Sequence, residues 1–233
     1  MQNNLTIILL VFGTINILVV IGALAYFIRQ KIKKSIRQKR VNRFGENAEK
    51  KVFAYLKKAF PKALIMRDVY LKTPSGLTEI DLIFISNKGI FIIEVKSHNG
   101  YIVTGGKLWT QRWRDKVVRF HSPVSQNAVH KSALETLFRK RQSLASLPIY
   151  TVTVFTANTV SFSRNVRDVI KLSSLSSYIK RKKPDRRMTK EMQKKVESFI
   201  SSNMETSRLR QARHRKKVFE ENTKRKGYRI NYR

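Results

Sequence analysis

Residues 78–85 read Thr-Glu-Ile-Asp-Leu-Ile-Phe-Ile, and residues 89–96 read Gly-Ile-Phe-Ile-Ile-Glu-Val-Lys. Both runs are β-branched and aromatic at odd and even positions alike, which is typical of strands covered on both faces. Asp81, Glu94 and Lys96 are charged residues inside these runs, where burial costs several kcal/mol unless the charge is paired or metal-bound. The two runs therefore predict a central hairpin that carries a functional site.

The turn of this hairpin, residues 86–89 with the sequence Ser-Asn-Lys-Gly, decides which charges face each other. With a loop of two or four residues, cross-strand pairing places Asp81 directly opposite Glu94. Lys96 then lies on the same face as Glu94, because side chains alternate with a period of two. A three-residue loop with Gly89 in the left-handed region is the alternative, and it puts the two acids on opposite faces.

Two carboxylates that face each other repel, so the first register favours a bound cation. Oxygen ligands of this kind suit Mg²⁺ or Mn²⁺. An internal salt bridge, in which Lys96 neutralises one of the acids, explains the same residues without a metal. Spacing alone leaves both interpretations open.

The acid on one strand and the Glu-x-Lys on the next resemble the PD-(D/E)XK nuclease superfamily. A longer set of motifs, spread over residues 44–144, resembles more narrowly the nuclease-related domain (NERD) family. These motifs are, in order, Gly45-Glu46-Asn47-Ala48-Glu49, Ile80-Asp81-Leu82, Gly89-Ile90-Phe91-Ile92-Ile93-Glu94-Val95-Lys96, Gly100-Tyr101-Ile102, Trp109 and Ser122-Pro123-Val124-Ser125-Gln126-Asn127. One departure is Ala48, where the family usually has glycine. The resemblance implies an α/β fold, a three-layer restriction-endonuclease-like sandwich with a central mixed β-sheet.

The resemblance also implies roles in metal-assisted phosphodiester hydrolysis. Asp81, Glu94 and the backbone carbonyl of Val95 would hold one divalent ion, Mg²⁺ or Mn²⁺. Lys96 would orient or help deprotonate the attacking water and stabilise the charge that develops on the phosphate.

Two further residues receive roles from the resemblance, Glu49 and Gln126. Glu49 would bind a second ion or a water of the first, and helical spacing agrees, because it shares one stripe with Val52 and Leu56. Glu46 is the weaker candidate, since a carboxylate near a helix start is favourable without any catalytic role. Gln126 would contact a metal-bound water or a phosphate, unless it only hydrogen-bonds the backbone at the start of its helix.

Other catalytic classes find little support in the sequence. The chain has no cysteine, which excludes thiol nucleophiles, Cys-ligated zinc and disulfides. Its four histidines show no HExxH spacing, and no GxxxxGK(S/T) loop is present. The carboxylates and lysine of the hairpin are thus the best candidates for chemistry.

A second strong feature lies at the N-terminus. Residues 5–28 are 24 residues without a charge, enough to span about 30 Å of hydrocarbon as a helix. Residues 29–43 carry eight Lys or Arg and no acid, whereas residues 1–4 carry no charged side chain. By the positive-inside rule this predicts one transmembrane helix, with the remainder of the chain cytoplasmic. A cleavable signal peptide is the alternative, opposed by the missing basic start and the basic flank.

The remainder divides into a nuclease-like domain at residues 44–160, an extension at residues 161–202 and a basic, flexible tail at residues 203–233. The net charge of +34 predicts attraction to nucleic acid or to anionic lipid headgroups. Both attractions weaken as salt is added.

Trp109, Arg112, Trp113 and Arg114 mix aromatic and basic side chains, as surfaces that stack single-stranded nucleic acid do. Trp109 and Trp113 also lie on the same face of the predicted strand, which would allow both to pack over the core instead. Taken together, the sequence predicts a membrane-anchored, metal-dependent nuclease acting on DNA or RNA. The alternatives are a catalytically silent, membrane-tethered nucleic-acid-binding module and a polybasic scaffold for anionic lipid.

Overall fold

The computed structural model describes residues 2–74 and 76–226, apart from the side chains of residues 2–12, 14–18, 37, 38, 41 and 222–226. Its helices are α1 (Gln2–Ala59), α2 (Pro123–Phe138), α3 (Gln142–Ala145), α4 (Leu175–Lys180), α5 (Lys190–Asn203) and α6 (Arg208–Lys226). Its strands are β1 (Leu64–Thr73), β2 (Gly76–Ser86), β3 (Gly89–Lys96), β4 (Tyr101–Val103), β5 (Leu108–Trp113), β6 (Lys116–His121), β7 (Ile149–Phe155), β8 (Ser161–Phe162) and β9 (Val169–Lys171).

The chain divides into two compact units, Met1–Phe44 and Gly45–Arg233. Within the described residues of the first unit, the backbone is the N-terminal part of α1. Across residues 2–74 and 76–226, no helix is long and apolar enough to cross a membrane. The transmembrane helix predicted at residues 5–28 therefore finds no support in the structure, and most side chains of that segment lie outside the described part.

The second unit is built on a five-stranded sheet with the order β1-β2-β3-β7-β9. The first three strands are antiparallel, and β7 and β9 continue the sheet in parallel pairing. Residues 45–59 of α1 and helix α4 cover one face, while α2, α3 and α5 cover the other. The predicted mixed α/β class with a central mixed sheet is confirmed.

Strand β3 lies in the middle of this sheet because its sequence is apolar at both parities. Seven of its eight residues are buried. Ile92 packs in the cluster that includes Leu134 of α2, whereas Phe91 packs in the cluster that includes Leu56 of α1. A strand covered in this way can hold a charge only where a partner is built for it, which makes Glu94 informative.

A second, four-stranded sheet has the order β6-β5-β4-β8. Trp109 is only 2% exposed and packs there with Ile102, Phe155 and Val160. This corrects its predicted place on a nucleic-acid surface: Trp109 is a core residue. Arg112 and Arg114 are exposed, and the Arg114 guanidinium lies 5.8 Å from the ring centroid of Trp113.

The C-terminal segment forms a helix, α6, in much of the region where the sequence predicts a flexible tail. Arg215 of α6 donates a hydrogen bond to the Tyr70 hydroxyl at 2.8 Å, and the ring of His214 meets that of Tyr70 edge to face. The backbone N–H of Glu205 also donates to the carbonyl of Tyr70. These contacts join α6 and the segment before it to β1.

Candidate active site

The hairpin of β2 and β3 brings the predicted acids to the end of its ladder. Its pairing begins at a two-residue turn and runs to Leu82 opposite Ile93. Of the two-, four- and three-residue loops considered from the sequence, the two-residue loop is the one that forms. Asp81 and Glu94 are the next residues beyond the last described pair, so they lie where the two strands stop pairing.

Strand β2 changes face at Asp81. Uninterrupted alternation would place Ile80 in the same cluster as Leu82, yet Ile80 packs with Ile83 on the other face. On the neighbouring strand, Asp68 has a φ of 52°, in the left-handed region, and the pairing of β1 with β2 skips both Asp68 and Asp81. The two strands are irregular at the same level, which releases the Asp81 side chain from the regular pattern of the sheet.

The side chain of Asp81 contacts the next strand, β3. Its Oδ2 accepts a hydrogen bond from the backbone N–H of Val95 at 2.7 Å. Burial raises the pKa of Asp81 well above its ordinary value, and the nearby charge of Glu94 raises it further, against the lowering effect of Lys96. A bound cation would oppose both raising effects, so the environment of this carboxyl favours added positive charge.

Glu94 is held on both carboxylate oxygens. Lys96 Nζ lies 2.5 Å from Oε1, and His130 Nε2 lies 3.0 Å from Oε2. Burial alone would raise the pKa of Glu94, but the Lys96 ammonium and the His130 hydrogen bond lower it to about 2. Glu94 in turn raises the pKa of Lys96 against the effect of burial. At neutral pH this is an ionised pair, so the internal salt bridge considered from the sequence does form.

Glu49 approaches the site from α1. It is half-buried, and burial together with the negative charges of Asp68 and Glu79 raises its pKa to about 7. Glu49 also contributes to the raised pKa values of Asp81 and Lys96, which places it within electrostatic reach of the cluster. A carboxyl with this pKa can exchange a proton near neutral pH.

Two acids near Glu49 were not predicted from the sequence to belong to the site, and they are Asp68 and Glu79. Glu79 accepts a short hydrogen bond from the Tyr70 hydroxyl, which itself accepts from Arg215. Burial raises the pKa of Glu79, while Tyr70 and Arg215 lower it. Asp68 acts on the pKa of both Glu49 and Glu79. The strand irregularity that brings these acids into range has no clear sequence signal besides aspartate itself, which tolerates a positive φ better than most residues.

His130 is the buried polar partner that sequence reasoning passed over. It is 5% exposed and lies on α2, where its Nδ1 is 2.8 Å from Thr78 Oγ1. A signal did exist: His130 shares the buried stripe of α2 with Asn127, Leu134 and Leu137. A polar side chain on such a stripe needs a hydrogen-bond partner.

Gln126 begins the second turn of α2, and its Oε1 is buried without a hydrogen-bond partner among the described residues. Its neighbour Asn127 donates from Nδ2 to Thr153 Oγ1 at 3.1 Å, while Asn127 Oδ1 is buried without a partner in the same part of the chain. Thr153 pairs with Glu94 across β3 and β7. Buried amide oxygens of this kind are suited to accept from water.

Few side chains of the site are suited to hold a divalent ion. Among residues 2–74 and 76–226, no three His, Asp or Glu side chains group in a way that could hold a metal. Mg²⁺, however, commonly uses only one or two protein carboxylates together with waters and substrate phosphate. Asp81 and Glu94 are hard oxygen donors and each carboxylate retains unused lone pairs, so the donor set fits Mg²⁺ or Mn²⁺ in chemistry.

The raised pKa of Glu49 has a consequence for stability. A carboxyl whose pKa rises from 4.5 to about 7 on folding contributes stability below pH 4.5, and this stability is lost as pH rises through about 7. In EDTA, we expect the Glu49→Gln variant to lose less melting temperature than wild type between pH 4.5 and pH 8. Thermal unfolding across this range measures the difference.

The Glu46→Gln variant is the matched control, because Glu46 is an exposed acid three residues earlier on the same helix. Its slope should stay close to that of wild type, because the charge of Glu46 has the smallest of the named effects on the pKa of Glu49. Equal slopes for all three proteins would mean that Glu49 titrates in the folded chain as it does in the unfolded one.

Parts of this chain resemble known proteins. Over 110 residues the chain is 33% identical to an uncharacterized protein of Bacillus anthracis, an alignment that covers 46% of this chain and 52% of that protein. The chain thus spans about half the length of the curated relative it matches. No solved structure matches the chain. Residues 44–156, which contain Glu49, Asp81, Glu94, Lys96 and His130, match the family model of the nuclease-related domain.

Proposed function

We propose that the chain is a metal-dependent nuclease of the PD-(D/E)XK type that hydrolyses phosphodiester bonds of DNA or RNA. One observation carries the proposal. Within a segment that matches the nuclease-related domain, Asp81 and the ionised pair of Glu94 and Lys96 meet where β2 and β3 stop pairing. Burying charges in the centre of a sheet costs free energy, and a site that binds and cleaves a phosphodiester would explain why the charges are there.

Asp81, Glu94 and the carbonyl of Val95 are the groups that would hold Mg²⁺ or Mn²⁺, with Glu49 on a second ion or a bound water. When bound, a divalent ion supplies Lewis acidity toward the phosphate and lowers the pKa of a coordinated water. The chain must then supply a positive group for the developing charge and a group that takes the proton of the nucleophile.

The two protein roles fall to different residues. The raised pKa of Lys96 keeps its ammonium charged, which suits electrostatic stabilisation of the phosphate better than proton abstraction. Glu49, with a pKa of about 7, is better matched to accept a proton at neutral pH. Gln126, whose buried Oε1 has no partner in the part of the chain that the structure describes, would orient a water.

Helix α6 offers a contact surface for nucleic acid. In the part of this helix whose side chains the structure describes, six basic side chains are exposed, and they are Arg208, Arg210, Arg213, Arg215, Lys216 and Lys217. Arg215 ties the helix to Tyr70 and, through it, to Glu79, two residues before Asp81. A cationic surface joined to the strand that carries a catalytic acid fits binding of phosphates beside the site.

A catalytically silent binding module is the second candidate. Both oxygens of Glu94 already have partners, Lys96 and His130, which is also the arrangement of a purely structural ion pair. Such a protein would bind nucleic acid in a salt-dependent way and leave it intact.

A cleavage assay decides between the two. The purified full chain is incubated with single- and double-stranded DNA and RNA in Mg²⁺, in Mn²⁺ or in EDTA. The nuclease proposal expects at least one substrate to be cut with metal and none in EDTA. Binding to all four substrates without cleavage in either metal would favour the silent module.

We further propose that residues 5–28 anchor the chain in the cell membrane with residues 29–233 in the cytoplasm. This rests on the uncharged run and the eight basic residues that follow it. A reporter fused after Arg233 is expected to be active in the cytoplasm and inaccessible from outside intact cells. Labelling of that end from outside would contradict the orientation, and recovery of the chain in the aqueous fraction would contradict the anchor.

A further inference from the structure

A hydrogen-bonded chain of three side chains lies beneath helix α2. Thr78 Oγ1 is 2.8 Å from His130 Nδ1, and His130 Nε2 is 3.0 Å from Glu94 Oε2. All three residues are buried, with exposures of 7%, 5% and 3%. They come from β2, α2 and β3, so the chain joins three elements of the fold around one carboxylate.

We propose that His130 is a positioning residue, which fixes the orientation of the Glu94 carboxylate for a divalent cation, with Thr78 fixing the imidazole in turn. The inference rests on the proposed function, because it assigns Glu94 the role of a cation ligand. His130 acts through Glu94 and does not itself touch the cation or the nucleic acid.

The direction of the hydrogen bonds follows from the chemistry of the groups. An ionised carboxylate only accepts hydrogen bonds, so His130 Nε2 must carry the proton that points to Glu94. The hydroxyl of Thr78 can donate to Nδ1 or accept from it, so this contact holds the second ring nitrogen. A ring held at both nitrogens has one orientation.

Two supports are needed because one would leave the carboxylate free to turn. Lys96 holds Oε1 of Glu94, but a lysine on a flexible stem permits several geometries around a single contact. A second contact, from a ring on α2 to Oε2, fixes the plane of the carboxylate. Two of its roughly four lone-pair positions are then used, and the others remain for a ligand.

The chain also links the two acids of the site. Thr78 lies three residues before Asp81 on β2, on the part of the strand that precedes the change of face. The position of Glu94 is thereby tied to β2, the strand that carries Asp81. His130 thereby connects both strands of the hairpin.

Two variants of His130 separate the positioning role from simple packing. In His130→Gln the side-chain amide nitrogen can occupy the place of Nε2 and still donate to Glu94. In His130→Asn the shorter amide reaches only the place of Nδ1, so the contact with Thr78 can persist while the contact with Glu94 is lost. Leu134→Val, a fully buried position one turn later on α2, is the control for weakened packing.

The test uses the full chain and two readouts: the Mg²⁺ concentration that gives half of the maximal rise in melting temperature, and the concentration that gives half-maximal cleavage. We expect His130→Asn to raise both about 10-fold to 100-fold, the usual effect of losing a residue that supports a metal ligand. His130→Gln should stay within about threefold of wild type, and Leu134→Val should lower the melting temperature without moving either concentration.

Unchanged Mg²⁺ concentrations in His130→Asn, with wild type responding normally, would overturn the inference and leave the nuclease proposal standing. Equal increases in His130→Asn and Leu134→Val would also overturn it, because packing alone would then explain them. A wild-type chain that is stabilised by Mg²⁺ but cuts nothing would defeat the nuclease proposal, and the melting data would still test His130. A wild-type chain without any Mg²⁺ response would defeat both.

Discussion

Replacement of Lys96 by alanine is expected to reduce turnover by about 100-fold or more while affinity for nucleic acid hardly changes. The ammonium of Lys96 stays charged because Glu94 and Asp81 raise its pKa against burial. A fixed positive charge that stabilises the transition state typically contributes 10² to 10³ in rate, roughly 3 to 4 kcal/mol. For binding, Lys96 is one cation in a chain of net charge +34, so its loss should lower the salt slope by about one at most.

The two quantities are measured on the same preparation, turnover at saturating substrate and affinity across a salt series. Lys131→Ala is the matched control, because it removes the same charge from a partly exposed position on α2, where Lys131 Nζ lies 3.7 Å from Glu135 Oε1. That variant should match wild type in turnover. If the Lys96→Ala variant also cuts at the wild-type rate, Lys96 serves only as the counter-ion of Glu94.

The hairpin was predictable because local chemistry determines it. Gly89 has a φ of 130°, and a β-carbon there would meet the carbonyl oxygen of Pro148 at 2.7 Å, so this corner of the hairpin requires glycine. Once the turn is set, the period of two places Glu94 and Lys96 on one face. Apolar residues at odd and even positions alike also predict a strand that is covered on both faces.

The part of the site that escaped prediction depends on contacts between distant segments. His130 reaches Glu94 only because α2 crosses β3, and no local pattern encodes that crossing. The change of face at Asp81 accompanies a positive φ at Asp68 on the neighbouring strand. The sequence of β2 alone does not show that its side-chain pattern changes together with an irregularity in β1. The charge pattern of residues 203–233 resembles that of a disordered tail, yet Arg215 finds a partner in Tyr70, far away in sequence.

Replacement of Asp81 by asparagine should separate metal binding from stability, because the two effects have opposite signs. Burial and the charge of Glu94 raise the pKa of Asp81, so its ionisation opposes folding, and the stability of the metal-free chain is lost as pH rises through that pKa. Asparagine is a neutral side chain of the same shape, and its Oδ1 can still accept from the N–H of Val95. In EDTA at pH 8, the variant should therefore melt at or above the wild-type temperature.

Addition of Mg²⁺ should reverse this order. A cation that binds the folded chain at about ten times its dissociation constant stabilises it by roughly 1.4 kcal/mol, which corresponds to a rise of about 3 to 5 °C for a unit of this size. The Asp81→Asn variant should lose this rise, together with at least about 100-fold in turnover, since loss of a direct ligand should cost no less than loss of a group that supports one.

Asp115→Asn is the matched control, because Asp115 is exposed in the turn between β5 and β6. It should keep both the Mg²⁺ response and the activity of wild type. If the Asp81→Asn variant still gains the full rise with Mg²⁺, the cation does not bind at this carboxyl. The repulsion between the negative charges of Asp81 and Glu94 is the physical reason for placing it there. Lower stability in EDTA at pH 8 would contradict the raised pKa itself, since it would mean that ionised Asp81 favours the folded chain.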